Sequence, residues 1–116
     1  MTEPLYYYIF PSRLNGAFDR DYDYDIEEKI LAKLEYLKEL KHPDYDVYIN
    51  ELDVWLHAGT NYHKALAVKI LMKLEPEAFK DEIDWVSRVL LRGQRRENSK
   101  LIDFILMILK FYRDKF

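Results

Sequence analysis

The chain has 116 residues, 49% of them hydrophobic, and a formal net charge of −3, the profile of one globular domain able to close its own core. It contains no cysteine, which excludes a disulfide framework and any thiolate metal or redox site. No run approaches the roughly 18 apolar residues of a membrane span, and the N-terminal stretch lacks the basic-then-apolar order of a secretion signal, so no membrane association is expected and the cytoplasm is the expected location.

Residues 1–24 are expected to form an N-terminal strap on a single helical domain whose helical stack occupies 25–116. Within the strap, Leu5-Tyr6-Tyr7-Tyr8-Ile9-Phe10 suits a short strand or an extended segment, and a strand without a partner is not stable alone. From Ile26 the punctuation turns helical. Ile26, Ile30, Leu34 and Leu37 make a stripe at helical spacing, with Glu27 and Glu28 in the first turn where the helix dipole favours acid. That first helix, 26–41, ends at His42-Pro43, because the residue before proline is pushed out of the α region. A second, 46–58, carries Tyr45, Ile49, Leu52 and Leu56, widened by Tyr48 and Trp55, and stops at Gly59.

Thr60 or Asn61 suits the cap of a third helix, 61–74. Ala65, Leu66, Ala67, Val68, Ile70, Leu71 and Met72 make it apolar over most of its circumference, so it should be central, with Lys64, Lys69 and Lys73 sent to whatever surface remains. Pro76 fits the first turn of a fourth helix, 77–92, with Phe79, Ile83, Val86 and Leu90 on one face and Trp85 and Val89 beside them. Gly93 closes it. Gln94-Arg95-Arg96-Glu97 then leads to Asn98 or Ser99 as cap of a fifth helix, 99–115. The fold class is all-α: five antiparallel helices as a bundle or short stack, with an extended or short-strand N-terminal segment.

Superposing Gly59 on Gly93 shifts the chain by 34 residues and lays Ile49, Leu52 and Leu56 over Ile83, Val86 and Leu90. The stretch His63-Lys64-Ala65-Leu66-Ala67-Val68-Lys69-Ile70-Leu71, followed by Leu74-Glu75-Pro76-Glu77-Ala78 and a second helix, resembles the helical hairpin of HEAT-type repeats. Residues 61–66 through Pro76 also resemble the second helix of a tetratricopeptide repeat, with the tyrosine-to-proline spacing off by one residue. The resemblance covers at most residues 46–115 and implies a scaffold that presents a protein-binding surface rather than a chemistry. A plain five-helix bundle satisfies the same pattern.

The net charge conceals an asymmetry. Residues 1–58 hold thirteen acids against six lysines and arginines, net −7, whereas residues 59–116 hold eight against twelve, net +4. Carboxylates interleave with tyrosines at Asp19, Asp21, Tyr22, Asp23 and Tyr24, and again at Tyr45, Asp46, Tyr48, Glu51 and Asp53. Such an acidic-aromatic surface suits a basic protein partner, since opposite fields steer encounter and tyrosines anchor at low entropic cost. The Asp19–Asp25 alternation also imitates a calcium loop, but counting from Asp19 the turn glycine is replaced by Tyr24 and the bidentate glutamate by Ile30. Its plainest role is an acidic lead into the first helix.

Arg88, Arg92, Arg95, Arg96 and Lys100 place five bases in thirteen residues, a candidate phosphate clasp. The plainer reading is that bases at a helix C-terminus complement its dipole and that Arg88 pairs with Asp84 four residues earlier. No nucleic-acid recognition motif flanks the cluster. His42, His57 and His63 lack metal-ligand spacing and read as surface or capping residues. The isolated glycines at 16, 59 and 93 cannot make a phosphate-binding loop, so neither metal nor cofactor is expected. Residues 104–109, Phe-Ile-Leu-Met-Ile-Leu, have no polar side, which calls for core burial, cover from Tyr6–Phe10, or an interface such as a homodimer.

With no catalytic signature, the chain reads as an interaction module rather than an enzyme. An acidic tyrosine-rich front meeting a basic partner is the preferred form, an inhibitor or immunity-type protein of a nuclease being one concrete case. The alternatives are a nucleic-acid-binding protein acting through the arginine cluster, and a small helical subunit of a larger assembly with residues 104–109 as its handle.

Overall fold

In the computed structural model, which describes residues 24–59, 61–92 and 100–115, each apolar stripe becomes the buried face of a helix. The elements are α1 (Tyr24–Glu39), α2 (Asp44–Ala58), α3 (Asn61–Leu74), α4 (Lys80–Arg92) and α5 (Lys100–Lys115), with no strand among the described residues. The Leu5–Phe10 segment, the remainder of the strap before Tyr24, the connection carrying Arg95 and Arg96, and the side chains offered as caps for α3 and α5 lie outside them. No helix among the described residues is long and apolar enough to cross a membrane.

The third helix is central, as its composition requires. Tyr62, Leu66, Val68, Ile70 and Leu71 are all buried, and α3 packs against α1, α2 and α4. Ile26, Ile30 and Leu34 close the core from α1, Tyr48, Leu52, Trp55 and Leu56 from α2, Ile83, Val86 and Leu90 from α4, and Ile105, Ile108 and Tyr112 from α5. Each fully buried side chain of this size contributes about 1.5–3 kcal/mol, so a helix that buries most of its circumference is the element on which the others depend. α4 packs in turn on α5, so the helices stack in chain order.

Two hydroxyl bonds fix the directions. Tyr45, at the start of α2, donates to Glu75 Oε1 at 2.6 Å, just past the end of α3, so α2 and α3 run antiparallel. Tyr112, late in α5, donates to the Pro76 carbonyl at 2.6 Å, ahead of α4, which makes that pair antiparallel too. α1 is set differently: Glu27 near its start and Lys38 near its end both reach residues 69–75, although a helix rises about 16 Å over that interval. It therefore crosses α3 rather than lying along it.

Several boundaries and positions differ from expectation. α1 ends at Glu39, two residues early, because the chain turns left-handed at Lys41 (φ 55°) and closes a Schellman motif, His42 N–H donating to Leu37 O at 3.0 Å and Lys41 N–H to Lys38 O at 3.1 Å. His42 then serves as a cap, its Nδ1 accepting the Asp44 N–H at 3.1 Å. α4 begins at Lys80 rather than at 77: Tyr112 holds the Pro76 carbonyl, and Tyr45 and Lys38 hold the Glu75 carboxylate, fixing residues 75–79 as a turn. Gly59 ends α2 with φ −79° and ψ 169°, not in the left-handed region. Glycine is needed there for closeness, since a Cβ would lie 2.6 Å from His63 Cβ and 2.7 Å from the Trp55 carbonyl oxygen.

Candidate functional site

Of the acidic-aromatic residues, Asp19, Asp21, Tyr22 and Asp23 lie outside the described residues, and Tyr24 is the first residue of α1. The others lie on α2, where helical phase sorts them sharply. Tyr48 is only 3% exposed and belongs to the core, with Lys33 Nζ 5.3 Å from its ring centroid, so it is not a surface anchor. Tyr45 is half-buried and its hydroxyl is spent on Glu75; that burial and the neighbouring carboxylate push its pKa up, keeping it a neutral donor. Tyr45 and Tyr48 therefore leave the proposed front, because the stripe they widen is the one that faces α3.

What α2 turns outward is acidic and aliphatic. Asp46, Val47, Asn50, Val54 and His57 are exposed, and Glu51 and Asp53 are half-buried at the margins. Val47 and Val54, 50% and 59% exposed, stand two turns apart and within about 20° in helical phase, so they form one ridge. The helix carries Asp44, Asp46, Glu51 and Asp53 and no lysine or arginine. His57 sits at its end with Nδ1–H donating to the Asp53 carbonyl at 2.9 Å and lying 3.4 Å from Asp53 Oδ1.

This ridge leads to a feature that hydrophobicity hides. Trp85 is 52% exposed, and with His57, Asp81 and Glu82 it lines an open cleft of about 330 Å³ between α2 and α4. Its residue number carries the signal: Trp85 lies about 130° around the helix from the mean direction of Ile83, Val86 and Leu90, so phase places it outside while its side-chain type argues for the core. Phase prevails.

The basic cluster is not brought together among the described residues. Arg88 is gripped by Asp84, Nε to Oδ2 at 3.0 Å and the terminal nitrogen to Oδ1 at 3.4 Å, which raises its pKa further. Arg92 is exposed at the end of α4; Arg95 and Arg96 lie outside the described residues, and Lys100 opens α5. A second cleft, also about 330 Å³, is lined by Lys80, Asp81, Asp84, Arg88, Tyr112 and Arg113. Its two carboxylates offset two of its three cations. Burial and the charge of Asp84 push Tyr112 up to about 12, so it too stays protonated as the donor to Pro76.

Lys69 is not on the surface. Its Nζ lies 2.9 Å from Glu27 Oε1 with both side chains buried, 4.7 Å above the Phe104 ring, and Lys73 approaches Glu27 Oε2 at 3.8 Å. His63 is half-buried edge-on against Trp55, ring centroids 4.9 Å apart. Along α5, Ile105 and Ile108 are core, while Leu106 and Met107 are 51% and 56% exposed. Among the described residues no three histidine or carboxylate side chains converge as a metal set. Comparison of the chain with protein-family models, with curated proteins and with solved structures gave no match.

Proposed function

We propose that this protein is a protein-binding module that docks a basic partner on the outer face of α2. The observation that carries the reading is the composition of that face: an exposed Val47–Val54 ridge flanked by Asp46, Glu51 and Asp53, on a helix with no lysine or arginine. Apolar ridges rimmed by one sign of charge suit partners of the opposite sign, the ridge supplying contact area and the rim supplying orientation. The stacking of α2 to α5 in chain order supports reading them as two hairpins that hold the face rigid. A basic enzyme acting on nucleic acid is one partner class of the right sign, since such enzymes carry positive clefts for an anionic substrate. The absence of cysteine fits a cytoplasmic site of action.

The test is affinity purification from the native source with the intact chain and with an Asp46→Lys, Val54→Glu double variant as paired baits. Both substituted positions are exposed, Asp46 on the rim and Val54 on the ridge, so the fold is retained and circular dichroism verifies it. Recovery of a basic protein by the wild type, with at least about tenfold less on the variant, supports the docking face. Equal recovery on both baits refutes it.

A further inference from the structure

The Trp85 cleft has features that the α2 ridge alone does not require. Its indole is 52% exposed, and among the described residues no ring or cation stacks on it. Asp81 and Glu82 stand one turn before Trp85 on α4, and neither forms an ion pair among the described residues. His57 enters from α2 with Nδ1 committed to the Asp53 carbonyl, leaving Nε2 as its other ring nitrogen. The residues that line it bring an indole, an imidazole and two carboxylate side chains, with apolar surface predominating, and include no lysine or arginine. Lys80 and Arg88, the cations of α4 on either side of these residues, both line the other cleft, which shares Asp81, and Arg88 is held there by Asp84.

We propose that this cleft is the seat of an arginine side chain from the basic partner, a proposal that rests on the docking reading above and extends the same surface by one helix. A planar guanidinium stacks on an indole face, is more weakly hydrated than an ammonium, and presents a fork of donors that suits two carboxylates at once. Lysine offers a point charge that stays better hydrated and stacks less well. Charge complementarity selects the cation, and the exposed flat ring selects its planar form. Trp85 would be the anchor, Asp81 and Glu82 the acceptors, and the Val47–Val54 ridge the surface along which the rest of the partner segment lies.

The experiment is a two-dimensional NMR titration of the full ¹⁵N-labelled chain with three capped tripeptides, Gly-Arg-Gly, Gly-Lys-Gly and Gly-citrulline-Gly. The chain has two tryptophans, and Trp55 is buried, so the Trp85 indole N–H is assigned by its loss in Trp85→Leu. The expected result is a saturable shift of that indole resonance and of the amides of residues 57, 81 and 82 with the arginine peptide. The lysine peptide should bind several-fold more weakly and the uncharged citrulline peptide not measurably. Glu82→Gln should weaken the arginine response about tenfold, the size of a cation–π or charge-assisted contact at a half-exposed site. An unmoved Trp85 indole, equal responses to arginine and citrulline, or lysine binding as tightly as arginine overturns the proposal. The docking reading fails separately: if the peptide titration is silent while the α2 variant still loses the partner, only the cleft assignment falls. If the peptide binds as expected while the α2 variant retains the partner, only the α2 ridge falls.

Discussion

The buried pair between Glu27 and Lys69 gives the most demanding test of how this core is held together. Their side chains are 5% and 7% exposed and the atoms are 2.9 Å apart. At an effective dielectric of about 20, that separation corresponds to an attraction of about 6 kcal/mol. Desolvating each ion costs several kcal/mol, so the intact pair contributes little net stability. The arithmetic changes when one partner goes. Glu27→Leu leaves the Lys69 ammonium buried above Phe104 without its carboxylate and should cost about 3–5 kcal/mol. Lys69→Met should cost less, about 2–3 kcal/mol, because Lys73 already stands 3.8 Å from Glu27 and, at 41% exposure, is free to follow the carboxylate. The double variant Glu27→Leu, Lys69→Met replaces both ions with apolar groups of similar length and should unfold within about 1 kcal/mol of the wild type. Urea denaturation followed by circular dichroism on all four proteins yields the coupling energy, expected at several kcal/mol. Single substitutions that add within about 0.5 kcal/mol in the double variant would refute the claim that the two charges compensate one another.

Lys41 occupies a left-handed position that glycine tolerates without cost, so Lys41→Gly should stabilise the protein by about 0.5–1 kcal/mol in the same denaturation assay, the relieved strain outweighing the added chain entropy. Gly59→Ala should cost about 1–3 kcal/mol, since the new methyl meets the Trp55 backbone oxygen, which belongs to a helix and cannot yield cheaply. Ser87 is fully buried with its Oγ unpaired among the described residues, and Ser87→Ala should raise the melting midpoint by removing about 1 kcal/mol of desolvation cost. Burial holds the His63 ring below its usual pKa of 6.5, so the unfolded chain takes up the proton more readily. Stability from this group is full above pH 6.5 and is lost as pH falls below it, and His63→Gln should flatten that part of the profile between pH 8 and 5.

Helix existence and the central place of α3 were legible because they depend on local spacing. Ile26, Ile30 and Leu34, or Ile83, Val86 and Leu90, recur at the helical period, and any fold that buries them must form those helices. The misplaced residues are ones where local and long-range terms conflict. Lys69 belongs to a helix so apolar that its own position faces the core, and a carboxylate 42 residues earlier, delivered by the crossing of α1, helps make that burial tolerable. Nothing adjacent to Lys69 in sequence reveals Glu27. Tyr48 and Trp85 are the opposite case, since phase alone places the first inside and the second outside. Treating tyrosine as a surface anchor and tryptophan as core material gives residue type precedence over the helical wheel. The late start of α4 is likewise tertiary, set by Tyr112 and Tyr45 reaching in from other helices.

Among the described residues, ion pairs join the acidic half of the sequence to the basic half. Glu27 from the acidic half is neutralised by Lys69 and Lys73 from the basic half, and Glu75 from the basic half is held by Lys38 from the acidic one. Those pairs cross the division between residues 58 and 59, so the −7 and +4 halves are stitched together where α1 crosses α3. Among the described residues, α2 is the acidic helix without a lysine or arginine of its own, and its field is local. Exposed charges are screened beyond about 8 Å at physiological ionic strength, roughly the distance from one helix to the next. A partner held by such a face is steered only at short range, and most of its affinity must come from what its side chains bury against Val47, Val54 and Trp85. Association at this surface should therefore weaken only a few-fold between low and moderate salt, and a steep salt dependence would require acidic groups beyond α2.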